Sequence, residues 1–94
     1  MTRKEHLLTC LMEECIEVAK EVSIALRFGL DDEYSGEIVR DKIENEFNDL
    51  MGILQVLEEE GVLKLSVSGD KIKAKREKIN KYLEYSKTKN TLND

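Results

Sequence analysis

IVRDKIENEFNDLMGILQVLEEEG, residues 38–61, decides the fold. Stepped at about 100° per residue with Glu46 at zero, Val39 and Leu57 fall at about 20°, Leu50 at about 40°, Ile43 at about 60° and Ile53 at about −20°, so the segment has one continuous apolar face. Gly61 follows the last apolar residue, where a helix-ending glycine belongs. Gly52 sits inside the pattern at a cost of about 1 kcal/mol against alanine, which close approach of another backbone would explain. Upstream, Leu8, Leu11, Cys15, Val18, Val22 and Ala25 recur at three and four and predict a helix over about 4–26, ended by Phe28-Gly29. Residues 30–36, an acidic DDE followed by Tyr-Ser-Gly, read as a loop. Downstream, Ile72, Ile79, Tyr82 and Leu83 mark a third helix over about 70–86, capped by Ser66 or Ser68. The last eight residues, KTKNTLND, read as frayed. The expectation is a single all-α domain over 1–94: a helical hairpin plus a C-terminal helix, assembled into an oligomeric bundle.

Composition narrows the class. The 94 residues are 40% hydrophobic and 37% charged, with no proline and no tryptophan, which excludes a multi-domain enzyme and a disordered chain. Three tyrosines and two phenylalanines make a thin core. A helical chain this small tends to leave an apolar face for a second copy, so a homodimer or homotetramer is expected.

The net charge of −5 argues against binding a nucleic-acid polymer, whose backbone calls for a basic face. It is unevenly spread: residues 1–70 carry 7 basic and 17 acidic side chains, and residues 71–94 carry 8 basic and 3 acidic. That pairs an acidic body suited to a cation with a basic arm suited to phosphate. Cys10 and Cys15 form neither a CxxC pair nor a disulfide framework, and read as small core residues in a reducing compartment. No run reaches the ~18 apolar residues of a membrane span, and the start, MTRKEHLLTC, does not read as a signal peptide; a cytoplasmic protein without a membrane partner is expected.

The telling feature is a set of charges where core residues belong. Glu46 lies within the apolar stripe of the second helix, and Asp49 borders it at about −60°. The first helix repeats the arrangement. With Glu14 at zero, Leu7 and Ala25 lie at about 20°, Val18 at about 40° and Leu11 at about 60°. Glu17 takes the edge at about −60°, and Glu21 continues it at about −20°. Glu17 and Glu46 both lie about ten residues, or ~15 Å, from the connecting loop, so antiparallel packing brings four carboxylates to one level. Such a cluster repels itself or takes up protons unless a multivalent cation neutralises it. Oxygen ligands select Mg²⁺ or Mn²⁺, and a magnesium that keeps waters and accepts substrate phosphates suggests phosphoryl chemistry. A di-iron bundle would need paired Glu-x-x-His motifs, and His6 is the sole histidine.

These residues resemble a family. Glu13-Glu14-Cys15-Ile16-Glu17, followed after the spacer 18–45 by Glu46-Phe47-Asn48-Asp49, is similar to the EExxE and ExxD signature of MazG-like, all-α nucleoside triphosphate pyrophosphohydrolases. LMEECIEVAKEVSIALRFGL, NEFNDLMGILQVLEEEG and KINKYLEYSK extend the likeness to a small phage-type branch, over about 7–87. Asn48 departs from the glycine or alanine often found before the aspartate. The resemblance implies an obligate helical oligomer that uses Mg²⁺ to cut a nucleoside triphosphate between the α and β phosphates. It also implies Glu14, Glu17, Glu46 and Asp49 as metal ligands and catalytic residues, with Glu13 a motif member without a clear ligand role.

Cations and aromatics are the candidate substrate contacts. Lys42, one turn before Glu46, either meets a substrate phosphate or pairs with Glu46. Lys81 and Tyr85 on the third helix are candidates to reach the nucleotide, across a subunit boundary if need be. Arg27-Phe28 reads as a hydrophobic helix end more readily than a phosphate or base contact, and His6 and Phe47 read as structural. Two alternatives remain beside the leading expectation: a phosphoribosyl-ATP pyrophosphatase within the enzyme class, and a non-catalytic helical-hairpin interaction module outside it.

Overall fold

The computed structural model describes all 94 residues, Met1–Asp94. Helix α1 spans Arg3–Phe28. Thr2 caps it: the Glu5 N–H donates to Thr2 Oγ1 at 3.1 Å while the Thr2 N–H donates to Glu5 Oε1 at 3.3 Å, which satisfies two end groups reciprocally. Gly29 ends the helix with φ 104°, a backbone setting that side chains resist, and its N–H donates to the Ala25 carbonyl.

The expected loop contains a small antiparallel hairpin, β1 (Glu33–Tyr34) and β2 (Glu37–Ile38), with Glu33 opposite Ile38 and Tyr34 opposite Glu37. Its two-residue turn, Ser35-Gly36, has positive φ at both positions (54° and 82°), the pattern of a type I′ turn whose twist matches the strands. Flanking bonds from the Val39 N–H to the Asp32 carbonyl and the Arg40 N–H to the Leu30 carbonyl close the connection, and Arg40 pairs with Asp31 at 3.1 Å.

Helix α2 spans Val39–Glu59, with Gly61 just beyond its cap at φ 73°. It runs antiparallel to α1, as the pair between Arg3 near one helix start and Glu60 past the other's end shows, at 2.6 Å. The core lies between these two helices: Ile24, Val39 and Leu57 are buried, and Leu7, Leu11, Val18, Ala25, Ile43, Leu50, Ile53 and Leu54 are half-buried. The α2 stripe read from periodicity is therefore the packed face, whereas on α1 only Leu11, Val18 and Ala25 of the expected set face α2, and Leu8, Cys15 and Val22 are exposed. Gly52 is a correction: a Cβ there would meet nothing within 4 Å, because the position turns to the open side of α2. Cys10 is half-buried but Cys15 is exposed, since α1 is covered by one neighbour only; both are free thiols.

Helix α3 spans Gly69–Thr88, capped by Ser68, whose Oγ accepts from the Lys71 N–H at 3.3 Å. The chain end is more ordered than expected: Asn90 takes a left-handed turn and the Thr91 N–H returns to the Ser86 carbonyl at 3.1 Å. No extended packing joins α3 to α1 or α2. The radius of gyration is 16.9 Å, against about 12 Å for a compact domain of this length.

Candidate metal centre

The centre lies where α1 and α2 face one another midway along the hairpin. Glu14 from α1 and Glu46 and Asp49 from α2 each place a carboxylate oxygen within 4.8 Å of the others. Glu46 and Asp49 are three apart and share a face one turn apart, and Glu14 reaches them across the same antiparallel pairing that sets Arg3 against Glu60. Glu14 and Glu46 are half-buried, and Asp49 is exposed at the rim. Glu17 lies outside that close triple but near enough for its charge to act on Glu46.

Glu46 shows the electrostatic strain of the arrangement. Its carboxyl is held above its ordinary range, first because burial disfavours the charged form, then because Asp49, Glu17, Glu14 and Glu21 all add negative potential. None of these five carboxylates has a lysine or arginine nitrogen within 4.0 Å; the chain's ion pairs all lie elsewhere.

Glu21 adds an independent observation. It is 6% exposed, the one buried charged residue of the chain, and its Oε2 has no hydrogen-bond partner. It shares the α1 face of Glu14, two turns on, and of Glu17, one turn on. A buried, unsatisfied carboxylate oxygen accompanies three converging ones, and an all-oxygen donor set of this kind suits a hard divalent ion. A hard divalent ion such as Mg²⁺ or Mn²⁺, if taken up here, would be held by Glu14, Glu46 and Asp49, with Glu17 and Glu21 beside them. Glu21 received no role from the motif, although its position on the helical wheel sets it deeper in the α1 stripe than Glu17.

The remaining candidates are distributed differently. Lys42 does not pair with Glu46; its Nζ lies over the Tyr34 ring, 4.5 Å from the centroid. Lys81 and Tyr85 sit exposed on α3, which leaves them apart from the carboxylates within one chain. Arg27 stacks over Phe28 at 4.8 Å. Phe47 and His6 are exposed, and Phe47 reaches no core. No helix is long and apolar enough to cross a membrane. A scan of family models and searches of curated proteins and of solved structures return no match to this chain.

Proposed function

We propose that this chain is a Mg²⁺- or Mn²⁺-dependent pyrophosphohydrolase that converts a nucleoside triphosphate to the monophosphate and pyrophosphate. The observation that carries the reading is the convergence of Glu14, Glu46 and Asp49 oxygens within 4.8 Å, with no basic partner and with the orphaned Glu21 oxygen alongside. The resemblance of Glu13–Glu17 and Glu46–Asp49 to EExxE and ExxD supplies the reaction. A bound divalent ion would polarise the phosphate and lower the pKa of a coordinated water. The chain's part is to fix the ligand oxygens, hold them partly away from bulk water and offer a neighbouring carboxylate to accept the proton of the attacking water. Attack forms a bond from water oxygen to the α-phosphorus and breaks the bond to the bridging oxygen, so pyrophosphate leaves. Lys42, Lys81 and Tyr85 remain the substrate-contact candidates, the last two through a second copy in a homodimer or homotetramer.

A nucleotide panel with Mg²⁺ and a pyrophosphate assay checks this directly. Turnover of at least one nucleotide is expected, with Glu46→Gln and Asp49→Asn each lowering it at least 100-fold, in the range found for loss of a charge-stabilising group. Absence of turnover for every nucleotide, or full activity in both variants, would sink the proposal. The exposed apolar residues of α3, Ile72, Ile79 and Leu83, favour one second reading, a helical interaction module. That module predicts a melting midpoint indifferent to Mg²⁺ and Mn²⁺, whereas a metal held only by the folded chain raises it.

A further inference from the structure

The acidic part of the chain, residues 1–70, has seven basic residues, and their placement is informative. Arg3 and Arg40 are taken up by Glu60 and Asp31. Lys20, Arg27 and Lys42 have no carboxylate within 4.0 Å, although acids outnumber bases in this part of the chain. All three stand around two exposed rings. The Arg27 guanidinium lies 4.8 Å from the Phe28 centroid and Lys42 Nζ lies 4.5 Å from that of Tyr34. Lys20, Ser23, Ile24, Arg27, Phe28 and Tyr34 together line a groove of about 370 Å³ between the last turns of α1 and the β1–β2 hairpin.

The groove adjoins the carboxylate centre. Lys20 follows Glu17 by three residues and directly precedes Glu21; Lys42 precedes Glu46 by four. Along its helix, Lys42 thus lies about one pitch, ~5 Å, from Glu46, and Lys20 within one pitch of Glu17 and Glu21 beside the centre, both on the side toward the connection. Tyr34 is bracketed by both. Cations without a carboxylate partner beside exposed aromatic rings suit a ligand that is anionic at one end and a flat π-system at the other. In a nucleotide, base and α-phosphate are separated by a sugar, a span on the scale of that pitch.

We infer that this groove seats the base of the nucleotide against Tyr34 and Phe28, with Lys20 and Lys42 flanking the phosphate that enters the carboxylate centre. The assignment rests on the nucleotide reading of that centre and adds to it the residues that grip the base. Tyr34 enters through the register of the hairpin, which is why no motif spacing flagged it.

Equilibrium binding with Ca²⁺ in place of Mg²⁺, comparing triphosphates of each base with inorganic tripolyphosphate, separates base from phosphate recognition. The best-bound nucleoside triphosphate is expected to weaken about tenfold, 1.4 kcal/mol, in Tyr34→Ala and in Phe28→Ala, with tripolyphosphate unchanged. Tyr34→Phe should restore binding, Lys20→Ala should weaken both ligands, and Lys64→Ala should weaken neither. The assignment is overturned if neither aromatic variant changes nucleotide affinity, if both ligands weaken equally in them, or if no nucleotide binds tighter than tripolyphosphate. The two readings fail separately. Pyrophosphate release with unaltered Tyr34→Ala and Phe28→Ala binding sinks the groove alone, and base-selective binding without pyrophosphate release sinks the hydrolysis alone.

Discussion

Glu46 is a residue whose carboxyl is raised above its ordinary range, by burial first and by its acidic neighbours second. A carboxyl raised in the folded state contributes stability that is complete below its ordinary value of 4.5 and is lost as pH climbs through the raised folded value. Without divalent ions, the melting midpoint should therefore carry a component that falls as pH rises above 4.5. Glu46→Gln should flatten that component, and Mg²⁺ at neutral pH should offset it. An identical pH slope in wild type and variant, followed by circular dichroism, would refute the electrostatic account. Glu21 makes a companion case. Glu21→Leu removes an unsatisfied buried acceptor, so the metal-free chain should gain about 1 kcal/mol or more, while the midpoint gain from Mg²⁺ shrinks. A variant that loses stability without metal would mean that Glu21 has a partner in solution.

At the level of elements, α1 and α2 depend on each other, but α3 stands on its own cap and length. Ser68→Ala should cost the usual ~1 kcal/mol of a lost N-cap. Because α3 lies apart from the hairpin, that loss should reduce helicity without moving the Mg²⁺-dependent midpoint in the single chain. A shift in the metal response would show that α3 reaches the centre. The contrast also explains what was legible beforehand. The hairpin was readable because apolar positions every three and four residues commit a helix to one face, and a glutamate within that face has few reasons to be there. Equal depth of Glu17 and Glu46 on antiparallel helices called for four carboxylates together; Glu14, Glu46 and Asp49 converge, whereas Glu17 lies outside the close triple. The β1–β2 hairpin was not readable: four strand residues give no period, and only Ser35-Gly36 hinted at the turn. Gly52 misled because a glycine on an open helix face leaves the same mark in sequence as one at a tight crossing. The order of the last residues was hidden too, since it comes from a left-handed Asn90 and a returning Thr91.

The molecule as a whole is more open than its length warrants. Only four residues are buried, and Ile72, Ile79, Tyr82 and Leu83 on α3 are all exposed. If copies cover one another there, light scattering should give two or four chain masses, and Ile79→Asp with Leu83→Asp should drive the particle toward one. A wild-type protein with one chain mass and a solution radius of gyration near 16.9 Å would instead establish the extended monomer. The charge division of the chain has a dynamic consequence. With the acidic hairpin at one end and the basic α3 held away from it, each molecule is a strong electrical dipole, so two that drift together are turned head to tail before they touch. Added salt shortens the reach of that torque to about 10 Å at 0.1 M, and it therefore slows encounter more than it loosens what has already formed.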